Sequence, residues 1–195
     1  MFGMIVLVTL SGVGVVVWGL YHYGRGLPDY QQLATYEPPT VTRIHAGDGR
    51  LLTEYAREKR VFVPIEAIPK RVIRAFMSAE DSNFYSHSGV DFFSIARATL
   101  TNIANFARNR RPVGASTITQ QVAKNFLLTN EVSIERKAKE AILAFRIERA
   151  ISKDRILELY LNEIYLGFSA YGVAAAGLAY FDKPLDQLSL EETAF

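Results

Sequence analysis

Cysteine is absent from the 195 residues, which excludes disulfides, thiol nucleophiles and zinc sites built on thiolates. Histidine is scarce: His22, His45 and His87 are too few and too scattered for a histidine-rich metal site. A strong charge of either sign is missing too. The 22 Lys and Arg against 20 Asp and Glu leave a net charge of +2, which gives no basis for a nucleic-acid partner. From Phe2 to Tyr23 there is no charged residue at all. Such a run matches the roughly 20 apolar residues that cross a hydrocarbon core, and Trp18, Tyr21 and Tyr23 gather at its end as at a membrane interface. We expect one transmembrane helix over residues 1–23. A cleaved signal peptide is the competing reading, but the run exceeds an apolar region of roughly 7–15 residues and no clear A-x-A site follows. No Lys or Arg precedes the span, so charge does not orient it.

Internal repeats and low-complexity segments are also lacking. Residues 24–56 read as a linker and a small β element, with Gly24, Gly26, Pro28, Pro38 and Pro39 at the start. Val41 to Ile44 and Leu51 to Tyr55 flank the turn signal Ala46-Gly47-Asp48-Gly49, which predicts a hairpin. Arg60 to Pro64 is a candidate further strand. Residues 57–195 form the main domain, and from Pro69 the pattern is helical almost to the end. Pro69 suits a helix N1 position. Thr117 with Gln120 (a capping box), Ser133, and Ser152 with Asp154 mark helix starts, and Gly167 suits a helix C-cap. Phe92 to Arg111 joins an apolar segment to a basic end. It reads either as a membrane-interface helix or as a core helix with a solvated end.

Four clusters carry candidate chemistry. Glu80 follows Ile73 by seven and Phe76 by four, so it ends the apolar stripe of Val72, Ile73, Phe76 and Met77. A carboxylate buried on such a face has its pKa raised toward neutrality, as a general base requires. Asp81 points about 100° away and cannot share that task, and Asp91 suits the N-cap of the next helix. In Gly114 to Asn125, small residues run into a helix start that favours an anion, and Thr117, Gln121 and Lys124 make one polar stripe suited to phosphate. Arg136 and Lys137 stand four and three residues before Glu140 on a shared face. That is either a surface ion pair or a second carboxylate held ionised among cations. In Ile156 to Glu163, Leu157, Tyr160 and Leu161, with Ile164, read as core.

The strings EDSNFYSHSGVD, GASTITQQVAKN, RKAKE, ILELYLN and AYGVAAAGLAYFDK occur in this order. Together they resemble the peptidoglycan glycosyltransferases, the transglycosylase domain of class A penicillin-binding proteins, with the 1A type nearest. The resemblance runs from about Tyr30 to the end. It implies a mainly α, lysozyme-like domain and polymerisation of lipid II, a disaccharide-pentapeptide on undecaprenyl pyrophosphate. By the resemblance, Glu80 is the base on the acceptor 4-hydroxyl and Glu140 the second essential acid. Lys124, Arg136 and Lys137 hold the diphosphate, while Asp81, Phe84, His87, Ser116, Thr117, Gln121 and Asn125 shape the cleft. A divalent cation, magnesium or manganese, is allowed at Glu140 but not required. Implied partners are lipid II, the growing lipid-linked glycan, membrane lipids and cell-wall synthesis proteins. The implied location is the bacterial inner membrane, with one span and the domain outside the cytoplasm. Asp182 stands where many relatives have Gly and Ser169 where some have Arg. The domain is expected to continue past Phe195, where the transpeptidase domain is missing. A lytic enzyme of lysozyme-like fold and a non-catalytic membrane scaffold are the rival readings.

Overall fold

The computed structural model describes the whole chain except residues 1–10, 13, 15, 16, 37–41, 56–58 and 130. Most of the expected span lies outside the described residues, as does Val41 of the expected hairpin. Residues 17–24 are helical (α1). Among the described residues no helix is long and apolar enough to cross a membrane.

The hairpin forms as expected. Strands β1 (Thr42–His45) and β2 (Leu51–Tyr55) pair antiparallel, with a register shift between Ile44 and His45. The second sheet is smaller still: β3 (Lys59–Arg60) lies parallel to β4 (Ala170–Tyr171). The strand expected over Arg60 to Pro64 therefore stops at Arg60. The reason is a competing partner. Val63 donates its N–H to Asn162 Oδ1 at 2.8 Å, and Asn162 Nδ2 donates to Val63 O at 2.9 Å. The side-chain amide supplies the donor and acceptor that a neighbouring strand would supply. Two residues on, Ile65 N–H reaches Glu158 at 2.8 Å.

The described helices after α1 are α2 (Lys70–Glu80), α3 (Phe92–Ala107), α4 (Ile118–Leu127), α5 (Ile134–Ala150), α6 (Lys153–Glu163), α7 (Val173–Phe181) and the short α8 (Leu190–Ala194). The local start signals hold. Thr117 and Gln120 make a reciprocal capping box, Ser133 accepts from Arg136 N–H, and Ser152 accepts from Arg155 N–H. Pro69 sits one place earlier than expected, at the N-cap of α2. Gly167 is not a helix cap. Helix α6 ends at Glu163, and Gly167, at φ +91, opens a turn closed by Ala170 N–H on its carbonyl.

Helix α6 is the centre of the molecule. Every residue from Ile156 to Asn162 is buried, and Ile156, Leu157, Tyr160 and Leu161 meet Ile118, Val122, Leu143 and Ile147 in the core. Each such aliphatic side chain contributes about 1.5–3 kcal/mol on burial. Helices α4, α5 and α6 thus form a rigid platform. The loop between α2 and α3 lies on it at close range: a Cβ on Gly89 (φ +97) would stand 2.7 Å from the Ala144 carbonyl carbon. Helix α3 behaves differently. Only Ala98 on it is buried, while Phe93 is 88% and Phe106 89% exposed, so the core-helix alternative is excluded.

Asp91 fixes where α3 starts. It accepts Ser94 N–H at 3.0 Å, the Ser94 hydroxyl at 2.7 Å and Asn83 Nδ2 at 3.0 Å. These bonds, that of the Ser94 hydroxyl foremost, hold its carboxyl well below the usual carboxylate range. We expect Asp91→Ala to cost about 1–2 kcal/mol in chemical denaturation, as for other lost caps. A depressed folded pKa stabilises above the unfolded value. The difference between wild type and variant should therefore be full above about pH 4 and shrink as pH falls below it.

Candidate active site

Glu80 is the last residue of α2, at the point where the apolar stripe runs out of the core. The apolar stripe predicts an apolar environment for its carboxylate. The carboxylate is exposed instead, which corrects the expectation of burial. It borders three hollows at once, as does Ala79. The largest, about 520 Å³, is walled by Gln121 and Lys124 from α4 and by Arg136, Lys137 and Glu140 from α5. A second, about 230 Å³, runs between Ser78–Ser82, the first half of α3 and residues 113–117, with Arg97 on its wall. The third, about 330 Å³, is apolar and lies toward α7 and α8.

Asp81 has a separate task, as its direction required. It leaves the helix and is buried. Its carboxylate accepts Ile118 N–H, the first amide of α4, at 3.0 Å and faces His87 Nε2 at 2.9 Å. Gly89 N–H donates to His87 Nδ1 at 3.2 Å, which assigns the ring proton to Nε2. The anion expected at the α4 N-terminus is therefore the chain's own Asp81. Gln120 N–H is likewise taken by the Thr117 hydroxyl. That helix end holds no free donor pair for phosphate, and the reading of Thr117 as a phosphate contact is corrected: its hydroxyl donates to Gly89 O at 2.6 Å and it is buried.

Phe84 and Asn125 also depart from expectation. Phe84 is wholly buried and lines none of these three hollows; it packs edge-on to His87 and carries Lys153 Nζ 4.4 Å from its ring centroid. Asn125 is exposed and does not line the cleft, because Gln121 and Lys124 occupy the α4 face that does. Gln121 Nε2 donates to Glu80 Oε2 at 2.7 Å. Ser116 lines the cleft and accepts from Lys137 Nζ at 2.6 Å.

Glu140 is the buried acid of the site, 2% exposed. Arg136 donates to one carboxylate oxygen and Lys137 Nζ, at 2.7 Å, to the other. Lys124, the third cation of the cleft, has no acidic partner among the described residues. With both Glu140 oxygens bonded to cations, this donor set does not suit a protein-held divalent ion. No group of three His, Asp or Glu converges on a metal position among the described residues.

One supporting acid escaped the sequence reading. Glu148 accepts from the Thr119 hydroxyl at 2.5 Å and Lys153 Nζ at 2.8 Å, and stands 3.9 Å from His87 Nδ1. Its signal was its spacing, eight residues after Glu140 and on the same face of α5. It ties Thr119 of α4 to Lys153, whose ammonium lies over the Phe84 ring.

Against this geometry, a family model described as Transglycosylase matches residues 48–195. The chain belongs to the transglycosylase family. This transglycosylase is 57% identical over 190 residues to penicillin-binding protein 1A of Rickettsia conorii, covering 97% of the chain and 24% of that protein. It is 46% identical over 186 residues to penicillin-binding protein 1A of Escherichia coli, covering 95% and 21%. The chain thus spans about a quarter of the length of the curated relatives it matches. The crystal structure of penicillin-binding protein 1A from Haemophilus influenzae aligns over 81% of this chain and 13% of that one, at 24% identity and a TM-score of 0.35.

In this transglycosylase, removing one cation from the Glu140 pair leaves a buried charge half-compensated. We expect Arg136→Ala to cost about 3 kcal/mol in chemical denaturation, within the range for broken buried pairs. Replacing Glu140 by Gln, which removes the buried charge itself, should cost less.

Proposed function

We propose that this chain polymerises lipid-linked disaccharide-pentapeptide, lipid II, into glycan strands at the outer face of a bacterial inner membrane. The observation that carries the reading is the position of Glu80. An exposed carboxylate faces, across an open cleft, the unpaired Lys124 and the Arg136–Lys137 pair. Glu80 takes the proton from the 4-hydroxyl of the acceptor sugar. The oxygen bonds to the anomeric carbon of the lipid-linked donor from the opposite face, and the bond to the diphosphate breaks. Configuration inverts, and the lipid diphosphate departs with the electron pair. Charge that develops on a leaving diphosphate is stabilised by cations fixed in advance. Lys124 meets it directly, while Glu140 keeps Arg136 and Lys137 oriented. A magnesium or manganese ion would be carried by the diphosphate rather than by Glu140.

The exposed face of α3 supports membrane contact. Phe92, Phe93, Leu100, Ile103 and Phe106 are exposed, and Arg108, Arg110 and Arg111 follow. An apolar face with a basic end is suited to the headgroup boundary. It would hold the second hollow close to the lipid surface from which the substrate comes. A glycan-cleaving reading would use Glu80 as an acid on preformed strands, and it gives the three cations no task.

Purified protein incubated with labelled lipid II should produce glycan strands, and Glu80→Gln should slow this about 10²–10⁴-fold, the contribution of a positioned base. Breakdown of preformed glycan without synthesis would replace this reading by the lytic one.

A further inference from the structure

The turn that follows α6 is strained in a way the chemistry at Glu80 does not explain. Phe168 (φ 47) and Ser169 (φ 56) are consecutive non-glycine residues in the left-handed region, and for a bulky side chain such a φ is an outlier held only by its surroundings. Those surroundings are firm. Leu166 N–H donates to Ala170 O at 3.0 Å, Ala170 N–H to Gly167 O at 2.7 Å, and Gly172 N–H to Ile164 O at 2.8 Å. The Tyr180 hydroxyl donates to Leu166 O at 2.6 Å, and a Cβ on Gly167 would stand 2.4 Å from that same hydroxyl. The strain has a visible product. Phe168 is 76% and Tyr165 57% exposed. Phe168 stands edge-on to Tyr180 at 5.3 Å, and Tyr165 lies 5.1 Å from Tyr171.

This aromatic ridge borders the apolar hollow. Leu166, Tyr180 and Glu80 all line that hollow. The hollow shares only Ala79 and Glu80 with the other two, whereas those two also share Val113, Gly114 and Ser116 with each other. The ridge is thus on the side of Glu80 away from the cations and from α3. No residue from Tyr165 to Tyr171 is charged, and the Arg60 guanidinium that lies 4.5 Å over the Tyr171 ring is paired with Glu163, so the ridge suits a neutral ligand better than a diphosphate. Pyranose rings present apolar C–H faces that stack on exposed aromatic rings, and their hydroxyls tolerate water at the rim.

We propose that the turn at residues 165–171, with Phe168 at its tip, is a subsite that holds the saccharide chain extending from the reaction centre. The proposal rests on the glycosyl-transfer reading above and adds a binding site remote from the diphosphate. Phe168 contacts sugar but takes no part in bond making.

The backbone strain supplies a clean test, because glycine adopts φ 47 freely and phenylalanine only under strain. Phe168→Gly should keep or raise the melting temperature. In calorimetric titration with a lipid-free β-1,4-linked N-acetylglucosamine hexamer, it should bind about tenfold more weakly, the equivalent of about 1.4 kcal/mol. Its strands from lipid II should be shorter, and Phe168→Tyr should restore both properties. Equal affinity and equal strand length in Phe168→Gly would overturn the subsite, as would failure of the wild type to bind the hexamer. If Phe168→Gly instead loses binding to anionic phospholipid vesicles while sugar affinity is unchanged, the ridge is a membrane contact and the proposal is wrong. Strand synthesis by the wild type with no effect of Phe168→Gly defeats only the subsite. Hexamer binding without any synthesis from lipid II defeats the catalytic reading and leaves the subsite standing.

Discussion

The bond between the Asp81 carboxylate and Ile118 N–H holds the cleft together. A charge-assisted bond at a helix N-terminus is among the stronger polar contacts a protein makes, because the carboxylate meets both an unpaired donor and the positive end of the helix. Asp81 directly follows Glu80, so the same bond fixes the end of α2 to the start of α4. Gln121 then stands one turn into α4, within 2.7 Å of Glu80, and Lys124 one turn further along the same wall. His87 Nε2 holds the Asp81 carboxylate in turn, at 2.9 Å. This chain of contacts places Glu80 opposite Lys124 across the cleft.

Two carboxylates in unlike environments have two roles, but not with the environments first expected. The buried one is Glu140, and its two oxygens are taken by Arg136 and Lys137. The exposed one is Glu80, with Gln121 as its hydrogen-bond donor. Burial of a fully paired acid orients its cations at the cost of desolvation. Exposure of the other keeps it open to a substrate on three sides. The buried hydroxyl of Tyr160 has no partner among the described residues, and burial foremost, then the charge of Glu80, pushes its ionisation above the usual phenol range. It therefore remains protonated in the core.

Local chemistry was readable from the sequence and tertiary competition was not. The caps at Thr117, Ser133, Ser152 and Asp91 were legible because each depends on residues within three positions. The core stripe of α6 was legible from period alone. The strand over Arg60 to Pro64 was misjudged because Asn162, about 99 residues away in the chain, takes over the role of a neighbouring strand. The free anion site at α4 failed for the same kind of reason: the anion that fills it is supplied from α2. Glu80 fell on the predicted face, yet periodicity cannot say where a helix leaves the core. The identities of the site residues were legible as motifs, while the division between those that line the cleft (Glu80, Ser116, Gln121, Lys124, Arg136, Lys137, Glu140) and those that build it (Phe84, His87, Thr117) required the fold.

In the proposed reaction Glu80 moves a proton and the cations hold the diphosphate, on separate walls of one cleft. Equilibrium binding of lipid II to the inactive Glu80→Gln protein tests it most directly. The account predicts affinity within about twofold of the wild type, since a group acting only in the transition state adds nothing to ground-state binding. Loss of binding in step with loss of turnover would contradict it.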